Sequence, residues 1–160
     1  GSVVQFLQTH INGSLYWADM TDWTVCTGLT LTITPKASTN KLILRAQVHQ
    51  SSAEGDYVSA IGFKKAGSLL TYTTYQNWGY GDYHEYVNDN TNDLSSGTGQ
   101  CERVEVAGNT SAQQFDVCIR TGASGWSGNN VYIGRSNRGE NGWYNSSNVR
   151  STFSIMEVVA

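Results

Sequence analysis

The sequence predicts an all-β domain, and three observations lead to this class. Apolar residues alternate with polar ones in several segments, these segments are short and separated by Gly, Asn and Ser, and helical periodicity is almost absent. Alternation with a period of two places one set of side chains in a core and the other set outside. Many short strands with this punctuation are typical of an antiparallel sandwich or barrel.

The strand at Leu29–Thr34 and the strand at Leu42–Gln50 are the clearest. Pro35 ends the first, because proline has no N–H to donate to a ladder, and Ser38–Asn40 supplies turn residues. A hairpin is expected between Phe63 and Leu70, where Gly67 is free to adopt a positive φ. Ser14–Asp19 is the one segment that we interpret as a helical turn. The other predicted strands are Val3–Thr9, Trp23–Cys26, Tyr57–Lys65, Leu69–Tyr72, Tyr83–Val87, Glu102–Val106, Gln114–Thr121, Val131–Arg135 and Thr152–Val158.

Length and composition indicate a single domain over residues 1–160 with an uncharged polar surface. Charged residues make up 14% of the chain, against about 25% in typical domains, while Ser, Thr, Asn and Gly are abundant. The net charge of −3 and the absence of a basic run argue against a nucleic-acid partner. No apolar run reaches the length of a membrane span, so membrane insertion is not expected.

The three cysteines are Cys26, Cys101 and Cys118, an odd number without a disulfide framework spacing. We expect free thiols in a protein assembled in a reducing cytoplasm. A Cys26–Cys118 or a Cys101–Cys118 bridge is the alternative.

Aromatic residues are concentrated in two polar stretches and one loop. Tyr and Trp combine an apolar ring with a polar tip, and such rings stack on the C–H faces of sugars. We interpret these aromatics as contacts for a glycan or surface receptor; the alternative is that they pack under their own loops as a small additional core. The candidate contacts are Tyr75, Trp78, Tyr80, Tyr83, Trp126, Trp143 and Tyr144.

A metal site has little support in the sequence. Asp89 and Asp93 begin a segment that resembles a calcium loop, but Leu94 and Gln100 stand where that loop needs Gly and a bidentate Glu. A solvated acidic loop is the preferred interpretation, so no metal or other cofactor is expected.

Catalysis is not expected either. The chain has no Gly-x-Ser-x-Gly elbow and no glycine-rich phosphate loop. Carboxylate pairs such as Glu54 with Asp56, or Asp82 with Glu85, are compatible with glycoside hydrolysis, but pairs of this kind are common by chance. We therefore predict a protein that is not an enzyme.

Several short motifs together resemble a known family. They are Gly1–Gln5, Thr27–Pro35, Ser38–Leu44, Phe63–Gly67, Phe115–Arg120, Arg135–Asn137 and Ser151–Val158. In this order they resemble domains near the C-terminal ends of phage tail fibres and related virion proteins, many from marine and cyanobacterial phages. The motifs span almost the whole chain, but each is short. The chain departs from the family at Tyr72–Asn92, which is richer in aromatics.

The resemblance implies a jelly-roll-like β-sandwich that forms a homotrimer related in architecture to tumour-necrosis-factor-type heads. It also implies a place on the virion, at the tip of a fibre that continues upstream of this domain. There the domain would attach the particle to a glycan or protein receptor on a host bacterium. One alternative is a virion structural component, such as a head fibre, capsid decoration or connector domain, that binds another viral protein. A second is a glycan-degrading fibre domain.

Both terminal strands carry apolar residues on two faces, so one face of each fills the sandwich and the other needs cover. We expect sister subunits to cover it; two-sided burial in a monomer is the alternative. The expected interface residues are Val3, Gln5, Leu7, Met156 and Val158.

Overall fold

The computed structural model describes residues 1–12, 15–17, 22–52, 56–70, 83–88, 96–121, 131–134 and 149–160, and within these ranges the chain is built of β-strands without a helix. The strands are β1 (Val3–Ile11), β2 (Leu15–Trp17), β3 (Thr24–Ile33), β4 (Lys41–Ser52), β5 (Asp56–Lys65), β6 (Ser68–Leu69), β7 (Tyr83–Asn88), β8 (Ser96–Val106), β9 (Gln113–Thr121), β10 (Val131–Ile133) and β11 (Ser151–Val158).

The strands form two antiparallel sheets. In the first sheet the long strands lie in the order β1-β11-β4-β8, and β10 and β2 extend it past the end of β11. In the second sheet the order is β3-β9-β5, and both β6 and β7 pair with β5. From β3 onwards the chain passes repeatedly from one sheet to the other. This order is that of a jelly roll, so the predicted jelly-roll-like sandwich is confirmed.

The core lies between the sheets and is formed by the inward members of each alternating pattern. Leu42, Leu44 and Val48 of β4 are fully buried, and Phe153 and Ile155 of β11 share their face. The Phe153 ring meets Phe63 of the second sheet with centroids 5.7 Å apart. This contact joins the two layers at their centre.

Three predicted elements differ from the structure. The helical turn expected at Ser14–Asp19 is wrong, because Leu15–Trp17 is a strand that pairs with β10. The separate strands expected at Trp23–Cys26 and Leu29–Thr34 are one strand, β3, whose pairing with β9 shifts between Val25 and Thr30. Gly28 lies in this bulge with φ of +94°, a conformation that glycine adopts without strain.

The predicted hairpin after Phe63 is confirmed. Lys64 and Lys65 pair with Leu69 and Ser68, and Gly67 has φ of +81°.

Candidate interaction face

The outer face of the first sheet carries an apolar row that crosses all four long strands. Phe6 of β1 pairs with Met156 of β11, Met156 pairs with Ile43 of β4, and Ile43 pairs with Val104 of β8. Phe6 is 53% exposed and Val104 is 52% exposed. We call these four residues the apolar row. They lie on the side of the sheet that faces away from the second sheet, so the sandwich itself does not bury them.

Further apolar side chains lie beside this row, at the end of the sheet where the two chain termini meet. Val158 pairs with Val3 and with Lys41, and Lys41 pairs with Val106. Among the residues whose side-chain burial the structure describes, the exposed large hydrophobic ones belong to this region: Val3, Val4, Phe6, Val104, Val106 and Val159. We call the apolar row and these valines, with Val158, the apolar end.

The structure corrects the predicted face of β1. Gln5 and Leu7 were expected on the outer face, but Leu7 packs against the core and Gln5 bonds to the inward-facing Glu157. Val3 and Gln5 are two residues apart, so a regular strand would place them on the same face. The register between β1 and β11 shifts between them, and Val3 is exposed. Phe6, which lies between Gln5 and Leu7 on the opposite face of the strand, is exposed. Val3, Met156 and Val158 lie on the outer face as expected, and their role in an interface stays a prediction.

A buried carboxylate fixes the strands that carry the apolar end. The side chain of Glu157 points inward between Met156 and Val158 and is fully buried. Its Oε1 accepts hydrogen bonds from Lys36 N at 2.8 Å and Asn40 Nδ2 at 2.7 Å, and its Oε2 accepts one from Gln5 Nε2. These bonds tie β11 to the β3–β4 connection and to β1.

Burial alone would raise the pKa of Glu157, but the hydrogen bonds outweigh this effect. Bonds from Asn40 and Gln5, and from the backbone N–H groups of Lys36 and Ala37, stabilise the charged form and hold the pKa below its ordinary value. The carboxylate is therefore ionised at neutral pH. Glu157 was not among the residues predicted from the sequence. Its burial could have been inferred, because it lies two residues after Ile155 and four after Phe153 and therefore on the same face of the strand.

Polar side chains occupy the rest of the outer face. The row next to the apolar row is Gln8, Ser154, Arg45 and Glu102, and the row after it is His10, Thr152, Gln47 and Gln100. Arg45 and Glu102 form an ion pair through Nε and Oε2. Around β4 these rows line a groove of about 480 Å³. We call it the polar groove; its lining is Arg45, Ala46, Gln47, Gln100, Cys101, Glu102, Thr152 and Ser154.

His49 lies beyond the polar groove on the same strand. Its Nδ1 is 3.2 Å from Thr98 Oγ1, and burial lowers the pKa of the imidazole. The ring is therefore neutral at neutral pH, so it adds no charge to this face.

Most of the predicted ligand contacts lie outside the described residues. These are Tyr75, Trp78, Tyr80, Trp126, Trp143 and Tyr144, together with the weak metal candidates Asp89 and Asp93. The backbone of Tyr83 belongs to β7 and pairs with Ile61. Whether these aromatics bind a glycan or pack under loops stays a prediction from the sequence.

The three cysteines are free, as the sequence predicts, and all three are buried. Within the described ranges no three His, Cys, Asp or Glu side chains are grouped so that they could hold a metal ion. Among the same residues, no helix is long and apolar enough to cross a membrane.

Comparison with known proteins finds matches among solved structures. No family model and no curated protein matches the chain. A chain in the structure of infectious bursal disease virus, Gx strain, aligns over 99% of this chain at 12% identity, with a TM-score of 0.41. The alignment covers 39% of that neighbour. A TM-score this low does not support any inference about function.

Proposed function

We propose that this chain is a non-catalytic structural domain of a virion, and that it assembles as a homotrimer through the apolar end of its first sheet. The observation that carries the proposal is the apolar row from Phe6 to Val104. Contiguous exposed apolar surface rimmed by polar residues marks interaction sites in soluble proteins. Here the adjoining row, with Gln8 and the Arg45–Glu102 pair, supplies that polar rim.

A second copy of the chain suits this surface because the apolar row reaches both edges of the sheet. Phe6 lies on the edge strand β1 and Val104 on the opposite edge strand β8. In a cyclic assembly the β1 edge of one subunit can meet the β8 edge of the next, and such head-to-tail contacts close into a ring. Burial of apolar area in the ring, at about 25 cal/mol per Å², would favour association.

The place on a virion is supported by the resemblance of the strand motifs to phage fibre domains and by the jelly-roll order of the strands. Within that setting the geometry favours a structural role, since the exposed apolar residues point to contact with protein. Attachment to a host receptor through Trp78 and Trp143 stays a prediction, because no contact of these residues is described.

Light scattering coupled to size exclusion tests the assembly. At micromolar concentration the chain should have three times its mass of 17.5 kDa. Phe6→Ser and Val104→Asp should each shift the population to monomer, because they place polar or charged groups in the apolar row. Thr32→Asp puts the same charge on an exposed position of β3 in the second sheet and should leave the trimer intact. A wild-type monomer would overturn the proposed assembly.

Mass spectrometry of purified particles tests the location. The chain should be found in particles of the virus that encodes it, at a copy number divisible by three. Its absence from particles that contain the other structural proteins would contradict a virion role.

A further inference from the structure

We infer that the polar groove on the outer face of the first sheet binds a neutral, polyhydroxylated ligand of the saccharide class. The groove has a volume of about 480 Å³ and crosses the middle of the sheet over β4. Its outward-facing lining consists of two amides, two hydroxyls and one ion pair: Gln47, Gln100, Thr152, Ser154, Arg45 and Glu102. This inference goes beyond the proposed structural role and does not depend on it.

The charge of the groove indicates a neutral ligand. Arg45 and Glu102 are the charged residues of its lining, and they neutralise each other in an ion pair. An anionic group such as a phosphate would have to compete with the Glu102 carboxylate for the guanidinium, and a cation would meet Arg45. A ligand without charge avoids both costs, and the Arg45–Glu102 pair then offers it donors on one side and acceptors on the other.

The hydrogen-bonding capacity of the groove matches hydroxyl groups. Gln47 pairs with Gln100 on one side and with Thr152 on the other, so these three side chains stand next to one another on the surface. None of the three makes a side-chain hydrogen bond to another residue that the structure describes. Amides and hydroxyls both donate and accept, as sugar hydroxyls do. Adjacent groups of this kind can therefore bind neighbouring hydroxyls of one ring.

The position of the groove disfavours a peptide or an apolar ligand. Peptides recognised by sheets add to a free edge and use backbone hydrogen bonds, but around Gln47 strand β4 is paired with β11 on one side and β8 on the other. The groove therefore offers side chains and no backbone ladder. Its outward-facing side chains are polar or charged, so an apolar ligand would leave their hydrogen-bonding groups without partners.

Nuclear magnetic resonance titration tests the inference. The protein is titrated at millimolar concentrations with glucose, galactose, mannose, N-acetylglucosamine and their oligomers, and with glucuronate as a charged probe. At least one neutral sugar should shift the side-chain amide signals of Gln47 and Gln100 in a saturable manner. The same titrations are performed with Phe6→Ser, so that a groove covered by self-association in the wild type is also sampled in a monomer.

Matched variants assign the binding to the groove. The double variant Gln47→Ala and Gln100→Ala should weaken binding about tenfold, because it removes two hydrogen-bonding groups, whereas Gln8→Ala, which is exposed outside the groove, should not change it. Thr152→Val, which keeps the side-chain shape, is the second variant if the double one does not fold.

The inference is overturned if no neutral sugar shifts these signals in either protein, if the groove variants bind as well as the wild type, or if glucuronate binds in preference. Sugar binding is measured both in the wild type and in Phe6→Ser. The proposed trimer can therefore be disproved without affecting the test of sugar binding.

Discussion

Asn40 donates a hydrogen bond from Nδ2 to Oε1 of Glu157 over 2.7 Å, and both side chains are buried. The bond joins the connection between β3 and β4 to the last strand of the chain. Gln5 completes the link by donating to the other carboxylate oxygen. Three segments that are distant in sequence therefore converge on one buried charge, directly beneath the apolar end.

Replacement of this carboxylate should destabilise the domain. Lys36 and Asn40 both donate to Oε1, so the amide of Glu157→Gln can keep its oxygen at that position, and its NH₂ group then lies against Gln5 Nε2. Two donors face each other there, and at least one of them has no acceptor. We expect a loss of about 2–4 kcal/mol in the free energy of unfolding, measured by urea denaturation. Glu102→Gln is the control, because its side chain is 48% exposed in a surface ion pair and should cost less than about 1 kcal/mol. Equal losses in the two variants would contradict the buried role of Glu157.

The same group should make stability depend on pH. The pKa of Glu157 in the folded protein lies below its ordinary value of 4.5, so folding favours the charged form. This contribution is fully present above the pKa of the unfolded chain and is lost as the pH falls through the lower pKa of the folded state. The stability difference between wild type and Glu157→Gln should therefore shrink as the pH is lowered below 4.5. A difference that is constant down to the acid transition would show that the carboxylate is not the cause.

Gly28 and Gly67 form a matched pair for a test of close packing. Both have positive φ, but a Cβ on Gly28 would lie 2.5 Å from Ile11 Cγ2, whereas nothing lies within 4 Å of one on Gly67. Gly67→Ala should cost about 1 kcal/mol through backbone strain alone. Gly28→Ala should cost about 1–3 kcal/mol more, because the Ile11 side chain must leave its packed position. Thermal unfolding of both variants checks this, and equal costs would contradict the contact.

Much of the fold follows from alternation, and the misassigned positions share a physical cause. The strand at Leu42–Gln50 is recognisable because one face of it is apolar throughout (Leu42, Leu44, Ala46 and Val48), while Ile43 is the apolar residue on the other face. In β1 both faces are apolar and a bulge follows Val3, so periodicity cannot identify the inner face, and Gln5 and Leu7 were assigned wrongly. Leu15–Trp17 is a strand because β10 pairs with it, and a local pattern carries no information about such a distant partner.

The candidate site was less predictable than the fold. The polar groove is formed by side chains from three strands, among them Gln47, Gln100 and Thr152, and only the register brings these residues together. Each of them looks like an ordinary exposed strand residue in the sequence. The register itself depends on which strands become neighbours, and alternation does not specify that.

The thiols provide a last test, of the core itself. Cys26, Cys101 and Cys118 are free and buried. Burial, and to a lesser degree the neighbouring thiols of Cys118 and Cys101, raise the pKa of Cys26 far above that of an exposed cysteine. Since the thiolate is the reactive form, Ellman's reagent should label none of the three in the native protein and all three in urea.

An engineered Thr32→Cys is the positive control for this measurement. Thr32 is exposed on β3, so a cysteine there should react at once in the folded state while the native three stay protected. Mass spectrometry without reductant separates protection from oxidation, because a Cys26–Cys118 or Cys101–Cys118 bridge would lower the mass by two hydrogens and leave one thiol in urea. Rapid labelling of Cys26 would contradict the close packing of the two sheets, since this residue is fully buried in the core and the reagent can reach it only if the sandwich opens.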